Sequence, residues 1–577
     1  MNDTGKIGRC NETVPGWLIP CILLIAFALR ILGNGYGLPD QLNVDEAHVV
    51  SHAIRFGKGD LNPHFFFYPA GYMYFLFTLF AGYFCYGFVT RVFTSPADFG
   101  AQFFIDPTAF YLISRTATAA IGTATVYVAY LFAKRRYGAR AGAAAAIFLS
   151  LAPLHARLSH FATTDVPMTF FILLSLYFAA AVARDGERKH YLFAGLAAGL
   201  GTSMKYTAAL VLPSLFLAHA LFVIGERRAG KRIKIIGSNP IIMIAAFAIA
   251  FIGTSPYTLL DFKTFIGDLK IQNQLVTGGW FGLEKPMNVW VESISNFLLN
   301  GLGAPLLVVS LAGAVALTLR RKRTDAVLAL FVLVFYLVHS KYTQHNFDRY
   351  WVAVVPAFCV FAAALTGDAM EKVFRNGRGA LAATVIISVA IMAMPTSRIV
   401  SNDLFIRKTT TQTIARRWVE SHIPAGTRIA TESGGPQLSP DEESLMAARD
   451  PQKYKKWRVD AAIPFFAYKD RKPASAELNS EKTFHKKALE KIARKYYVLQ
   501  PFALAEYKLD FYKEMKFEYI IASSFIYDRY YNAPEKYPEA VGFYDALRDE
   551  GTPVKKLTGG KDRPGPDILI YRIKGKR

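Results

Sequence analysis

The sequence predicts a polytopic α-helical membrane domain followed by a soluble α/β domain. Three observations carry this. Of 577 residues, 52% are hydrophobic and only 19% charged, against about 25% charged in ordinary soluble domains. The apolar residues gather into repeated runs within 1–395, whereas 396–577 is rich in Lys, Glu, Asp and Tyr. Between the runs lie short clusters of Lys and Arg, the mark of cytoplasmic loops. This composition excludes a disordered or fibrous chain and argues against a purely soluble enzyme. The net charge of +23 would suit nucleic-acid phosphates. Its confinement to clusters between apolar runs assigns it to the membrane surface instead, so no nucleic-acid partner is expected. Cys10, Cys21, Cys85 and Cys359 all lie in or beside the apolar part, with no zinc-site spacing.

A bilayer core of roughly 30 Å needs about 20 apolar residues per helix. The first run, 15–32, follows a short basic segment; it is too long for a simple signal-peptide core and reads as a retained anchor. Further runs lie at 68–93, 109–133, 141–156, 166–183, 190–204, 207–224, 238–256, 298–319, 326–338, 349–366 and 380–395. Five basic clusters set the direction: Lys134 to Arg140, Arg184 to Lys189, Arg227 to Arg232, Arg320 to Arg323, and Lys372 to Arg378. All five belong in the cytoplasm. They alternate correctly only if one run before Lys134 does not cross. With Lys6 and Arg9 inside, that run is 68–93, expected to lie in the outer leaflet or to dip in and return, and about 11 true spans remain.

Residues 33–108, 157–165, 257–297, 339–348 and 396–577 then share the outer face. The expected location is the plasma (inner) membrane, multi-pass, with the C-terminal domain extracytoplasmic. In that domain the residues at 409–423 have helical spacing and stop before Pro424 and Gly426. Strands are expected at 428–431, 496–499, 517–522 and 568–573, and a helix capped by Ser480 through Arg494. No phosphate-binding glycine loop is present, and Gly434-Gly435 and Gly559-Gly560 read as turns. The domain is expected to bind an acceptor or serve as a scaffold.

Four polar constellations stand at outer helix ends. Asn43-Val44-Asp45-Glu46-Ala47-His48 places an acidic pair just after the first span. A carboxylate there can take a proton from an attacking hydroxyl; equally, the pair can favour the N-terminus of a helix over 45–56. Arg157 to Pro167 contains His160 and Asp165. Asp165 reads as a helix cap ahead of Pro167 or as a site acid. Asp45, Asp165 and His160 could together hold a divalent ion, whose need is left open. Lys205-Tyr206 offers a cation that snorkels to the interface or meets a lipid-borne phosphate. Lys341, His345, Asp348, Arg349 and Tyr350 offer a bidentate phosphate ligand or an interfacial anchor. Tyr68-Pro69, after three phenylalanines, reads as an aromatic belt.

In order, these motifs resemble the C-type glycosyltransferases, and within them the protein O-mannosyltransferases and aminoarabinose transferases, which use polyprenyl-phosphate sugars. The resemblance covers most of 15–366, and the tail looks like the outer-face domain of bacterial members. It implies the C-type fold, with 1–395 as the transmembrane glycosyltransferase domain and 396–577 as an extracytoplasmic α/β domain. It also implies Asp45 as catalytic base supported by Glu46, Asp165 as a second acid, Lys205, Arg349 and Tyr350 on the donor phosphate, and Tyr68, His160 and Tyr206 lining the cavity. The expected partners are a polyprenyl-phosphate sugar donor, membrane lipids, and a lipid, glycan or protein acceptor. Tyr68-Pro69-Ala70 departs from the aminoarabinose transferases, which tend to have Lys-Pro there. A transporter or lipid flippase is the alternative, although no internal repeat is visible.

Overall fold

The computed structural model describes residues 14–574, apart from 41–42, 233, 236, 279–281, 283–286, 321, 342–346, 375, 450–453, 460–487 and 493. Each of the twelve apolar runs is helical. Among the described residues six helices are long and apolar enough to cross a bilayer, or seven if the pair Val289–Leu302 and Ala304–Arg320, bent by 116°, counts as one span. Leu18–Ile31, Ala139–Ser150 and Ser238–Thr254 are apolar but shorter. Ala139–Ser150 is buried from Ala141 to Ser150, so longer neighbours screen it and its length need not match the membrane.

The helices form one bundle with one continuous apolar core. Close contacts come from small residues. Helix Arg188–Met204 lies so near helix Ser238–Thr254 that a Cβ on Gly195 or Gly199 would fall 2.2 or 2.3 Å from the carbonyl oxygens of Met243 and Phe247. Spacing by four puts both glycines on one face, the arrangement that lets helix backbones touch in lipid.

The basic clusters meet at one end of this bundle. Arg136 lies 3.4 Å from Asp325, and Tyr137 donates to the same carboxylate at 2.9 Å. Arg140 pairs with Glu371 at 2.9 Å, Arg320 with Asp368, and Gly225 rests against Arg323. Arg135 donates to Tyr177, two turns before Arg184. Helices 108–137, 165–185, 212–228, 304–320, 323–339 and 348–373 therefore bring their basic ends together. Lys6, Arg9, Arg321 and Arg375 lie outside the described residues.

The run 68–93 contains a single unbroken helix, Gly71–Val89. It does not dip in and return, and by length and composition it could cross a bilayer. Its neighbours lie away from the basic end. Gly71 abuts Ser203, Tyr72 bonds Thr118 at 2.5 Å, and Phe80 and Tyr83 pack on Phe110. The helix thus runs along the first third of Thr108–Tyr137, remote from Lys134–Arg136.

Helix Gly377–Ile406 runs on past 395 before the tail begins with helix Thr411–His422. The tail is a five-stranded sheet: β1 (Arg428–Thr431), β2 (Tyr497–Leu499), β3 (Tyr519–Ser523), β4 (Thr552–Leu557) and β5 (Ile568–Arg572), in the order β2-β1-β3-β5-β4. The pairs β1–β2 and β1–β3 are parallel, and β3–β5 and β5–β4 antiparallel. Apolar clusters cover both faces. Buried Glu432, just after β1, accepts from the amides of Leu504 and Ser523 and from Tyr544, tying three segments together. The predicted helix from Ser480 lies almost wholly outside the described residues. Gly434 takes a left-handed φ of 79°, as a turn requires.

Candidate active site

The site lies at the end of the bundle opposite the basic clusters, where five segments converge. The first is helix Val44–Arg55. Its N-cap is Asn43, whose side chain accepts from the amides of Asp45 at 3.0 Å and Glu46 at 3.4 Å. The acidic pair therefore sits in the first turn and does not cap the helix. Consecutive helical side chains diverge by about 100°, and these two carboxylates go different ways.

Asp45 is partly exposed. Its Oδ1 accepts from the Tyr68 hydroxyl at 2.9 Å and its Oδ2 from Arg349 Nη1. Burial pushes the Tyr68 hydroxyl up, with Asp165 and Tyr350 nearby acting in the same sense, so Tyr68 stays protonated and donates. Tyr68 is held by helix Phe262–Gly278, where Asp268 accepts from the Phe66 amide at 2.8 Å and Gln272 donates to the Phe67 carbonyl at 3.1 Å.

Glu46 is turned inward and fully buried. It makes a fork-to-fork pair with Arg115, Nε and Nη2 each at 2.8 Å, and accepts the Ala162 amide at 2.7 Å. Arg115 also donates to the carbonyls of Asn34 and Tyr36 at 2.6 and 2.8 Å. Glu46 was expected to support Asp45. Its carboxylate is wholly occupied by these partners, and it supports Asp45 only by fixing the helix that carries it. Arg115 was not anticipated, although an ionisable residue inside the run 109–133 is itself a signal for a buried partner.

Asp165 begins helix Asp165–Asp185, after an N-cap at Thr164 that makes no side-chain cap bond. Its carboxylate is not a cap; Oδ1 accepts from Lys205 Nζ at 2.6 Å. Lys205 sits where helix Arg188–Met204 gives way to the 3₁₀ turn Tyr206–Val211. Its ammonium also lies over the Tyr350 ring, 4.9 Å from the centroid. The other face of this contact chain is Arg349, whose guanidinium is 5.5 Å from the same ring. Asp45, Tyr68, Arg349, Tyr350, Lys205 and Asp165 thus form one connected group. Arg157 binds Asp348 and anchors the segment that presents Arg349.

The formal charges of Asp45, Asp165, Lys205 and Arg349 cancel, yet donor capacity is left over. Arg349 Nε is buried with no partner among the described residues. An orphaned guanidinium N–H costs desolvation free energy unless a ligand meets it.

Two expected cavity residues lie elsewhere. His160 does not face the aspartates: its Nδ1 is 3.0 Å from the Ala156 carbonyl and its Nε2 2.7 Å from that of Leu32, with Asp403 at 3.5 Å. It ties the loop to the first and last helices of the bundle. Tyr206 follows Lys205, but its ring packs against Phe265 and its hydroxyl is buried without a partner among the described residues. Among the described residues no group of three or more His, Cys, Asp or Glu side chains is placed to share a metal ion, and the trio of Asp45, Asp165 and His160 does not assemble. Lys341 is exposed, and His345 lies outside the described residues.

The tail reaches this site through buried Asp40, five residues before Asp45. Asp40 accepts from Thr413 at 2.7 Å and pairs with Arg416 Nε at 2.9 Å, both on the first tail helix. Asp40→Asn should lower the thermal unfolding temperature of the full chain, because Arg416 loses its buried charged partner. Unfolding in detergent checks this; an unchanged temperature speaks against it.

The family model described as dolichyl-phosphate-mannose-protein mannosyltransferase matches residues 111–259, the stretch that contributes Arg115, Asp165 and Lys205. The crystal structure of ArnT from Cupriavidus metallidurans bound to undecaprenyl phosphate superposes with a TM-score of 0.55 at 13% identity, over 98% of this chain and 100% of that one. The chain has a C-type glycosyltransferase fold. The apo form of the same ArnT gives a TM-score of 0.53 at 12% identity, over 97% and 98% of the two chains. A looser likeness is to the Archaeoglobus fulgidus oligosaccharyltransferase, at a TM-score of 0.49 and 12% identity over 91% of this chain and 72% of that one. No curated protein matches the sequence. The C-type fold and the mannosyltransferase-family segment lend no support to a transporter or flippase.

Proposed function

We propose that this chain is an integral membrane glycosyltransferase that moves a sugar from a polyprenyl-phosphate donor to a hydroxyl acceptor on the outer face of the membrane, with inversion. The observation that carries the reading is the single group formed by Asp45, Arg349, Tyr350, Lys205 and Asp165 at the end remote from the basic clusters. The mannosyltransferase-family segment supports the donor class, and the ArnT structure, which holds undecaprenyl phosphate, supports its lipid carrier. The basic clusters favour an orientation with their end in the cytoplasm and 396–577 outside. Eleven crossings of the plasma (inner) membrane fit that orientation, with Gly71–Val89 along the outer side.

The donor phosphodiester carries one negative charge and enters a group whose own charges cancel. Its oxygens meet the free Nε–H of Arg349 and the remaining donors of Lys205. As Arg349 turns toward the phosphate it withdraws from Asp45, whose carboxylate becomes a better base. The acceptor hydroxyl attacks the anomeric carbon, Asp45 takes its proton, and the carbon–oxygen bond to the phosphate breaks. The leaving phosphate gains the negative charge that Asp45 has just lost, so the charge of the site is unchanged. Arg349, already turned to the phosphate, stabilises the product anion.

A transfer assay with a polyprenyl-phosphate sugar tests the activity: a glycosylated acceptor is expected, and lipid movement without transfer would replace the reading with a flippase. Lys205→Gln should reduce kcat/KM for the donor by about tenfold or more, the worth of a hydrogen bond to a charged group. An unchanged kcat/KM removes Lys205 from the phosphate. For orientation, a tag after Arg577 should be reached by an impermeant protease from outside the cell.

A further inference from the structure

The mechanism makes no use of a cleft at the other end of the bundle. Helices Thr108–Tyr137, Asp165–Asp185 and Arg323–His339 enclose a cavity of about 60 Å³ floored by Phe132, Ala180 and Ala181 and rimmed by Arg135, Arg136 and Arg184. Two of the three guanidiniums are neutralised: Arg136 by Asp325 at 3.4 Å and Arg184 by Asp185 at 2.6 Å. Arg135 has no carboxylate partner among the described residues. Its guanidinium lies over the Tyr177 ring, 5.5 Å from the centroid, and donates from Nη1 to the Tyr177 hydroxyl at 3.0 Å. The contact holds the fork in place and leaves most of its five N–H donors unused.

We propose that this cleft binds the phosphate of an anionic phospholipid. A rim with one uncompensated positive charge selects an anion, and a preorganised guanidinium fork suits phosphate oxygens. The apolar floor and the position at the basic ends of membrane helices put the phosphate at headgroup depth. Basic clefts between helices recognise anionic headgroups there. A free phosphate ion would share the chemistry but has no use for the apolar floor.

The test is native mass spectrometry of the full chain in detergent, offered phosphatidylglycerol, phosphatidylcholine or inorganic phosphate. Wild type should retain phosphatidylglycerol over phosphatidylcholine. Arg135→Gln should weaken that retention about fivefold, and Arg135→Gln with Arg184→Gln about 25-fold, the factors expected for basic side chains near an anionic headgroup. Arg135→Lys, which keeps the charge, should lose less. Sugar transfer by these variants should equal wild type, which shows that they are folded. If inorganic phosphate binds alone and displaces the lipid, the cleft is a phosphate site supplied from solution and the lipid assignment falls. Equal retention of both lipids by wild type, or undiminished phosphatidylglycerol on the double variant, overturns the proposal altogether.

Discussion

Asp45→Asn should lose at least about 100-fold in turnover, the lower end of what a positioned general base contributes, while remaining folded and inserted. The amide is nearly isosteric and its oxygen can still accept from Tyr68 or Arg349, which hold the native carboxylate. What it cannot do is take a proton at neutral pH. The measurement is turnover in the lipid-donor assay at saturating donor, beside the thermal unfolding of both proteins in detergent. Unfolding at wild-type temperature with turnover down 100-fold assigns Asp45 as the base. Near-normal transfer would move that role to another residue, with Asp165 the nearest carboxylate in the connected group.

Glu46→Gln has the opposite signature, a large effect on stability with activity lost as a consequence. Removing one partner of a buried ion pair leaves a charge without compensation and costs about 3–5 kcal/mol. Here Arg115 would remain buried, facing the carbonyls of Asn34 and Tyr36 and a neutral amide. The glutamine oxygen can keep the Ala162 amide, but its NH2 would face Arg115 Nη2, and the fork that ties the helix carrying Asp45 to Thr108–Tyr137 is broken. Neutralising Arg115 as well, in Glu46→Gln with Arg115→Met, should restore part of the stability, because the isolated charge is then gone. Thermal unfolding of the single and double variants measures this. A single variant as stable as wild type would show that the pair bears no load.

The two neighbours thus have different surroundings: Asp45 is partly exposed beside Tyr68 and Arg349, and Glu46 is buried against Arg115 and the Ala162 amide. The same division applies across the site. Arg157 with Asp348 holds Arg349, and Asp268 with Gln272 holds Tyr68. None of these holding residues carries a short motif that would mark it in the chain.

Much of this protein was legible in its residues. Twelve apolar runs became helices because burying or lipid-solvating an apolar run requires every backbone group to be paired within the segment. The charge clusters identified one end of the bundle because guanidinium and ammonium groups resist entering lipid. Four strands of the tail follow from their β-branched and aromatic character, whereas β4 was missed. Its sequence, Thr-Pro-Val-Lys-Lys-Leu, reads as a loop, and Pro and Lys are what an edge strand carries to discourage pairing with other chains.

Local sequence determines hydrophobic period, helix ends and which polar residues stand at the boundaries, because those depend on neighbours within a few positions. Partnership does not. Asp45 and Arg349 are 304 residues apart, and Glu46 and Arg115 are 69 apart. Whether a boundary acid reacts, caps or clamps depends on which helix faces it. A rotation of about 100° between successive residues separates Asp45 in the site from Glu46 in the core, and only packing decides which of the two faces turns inward.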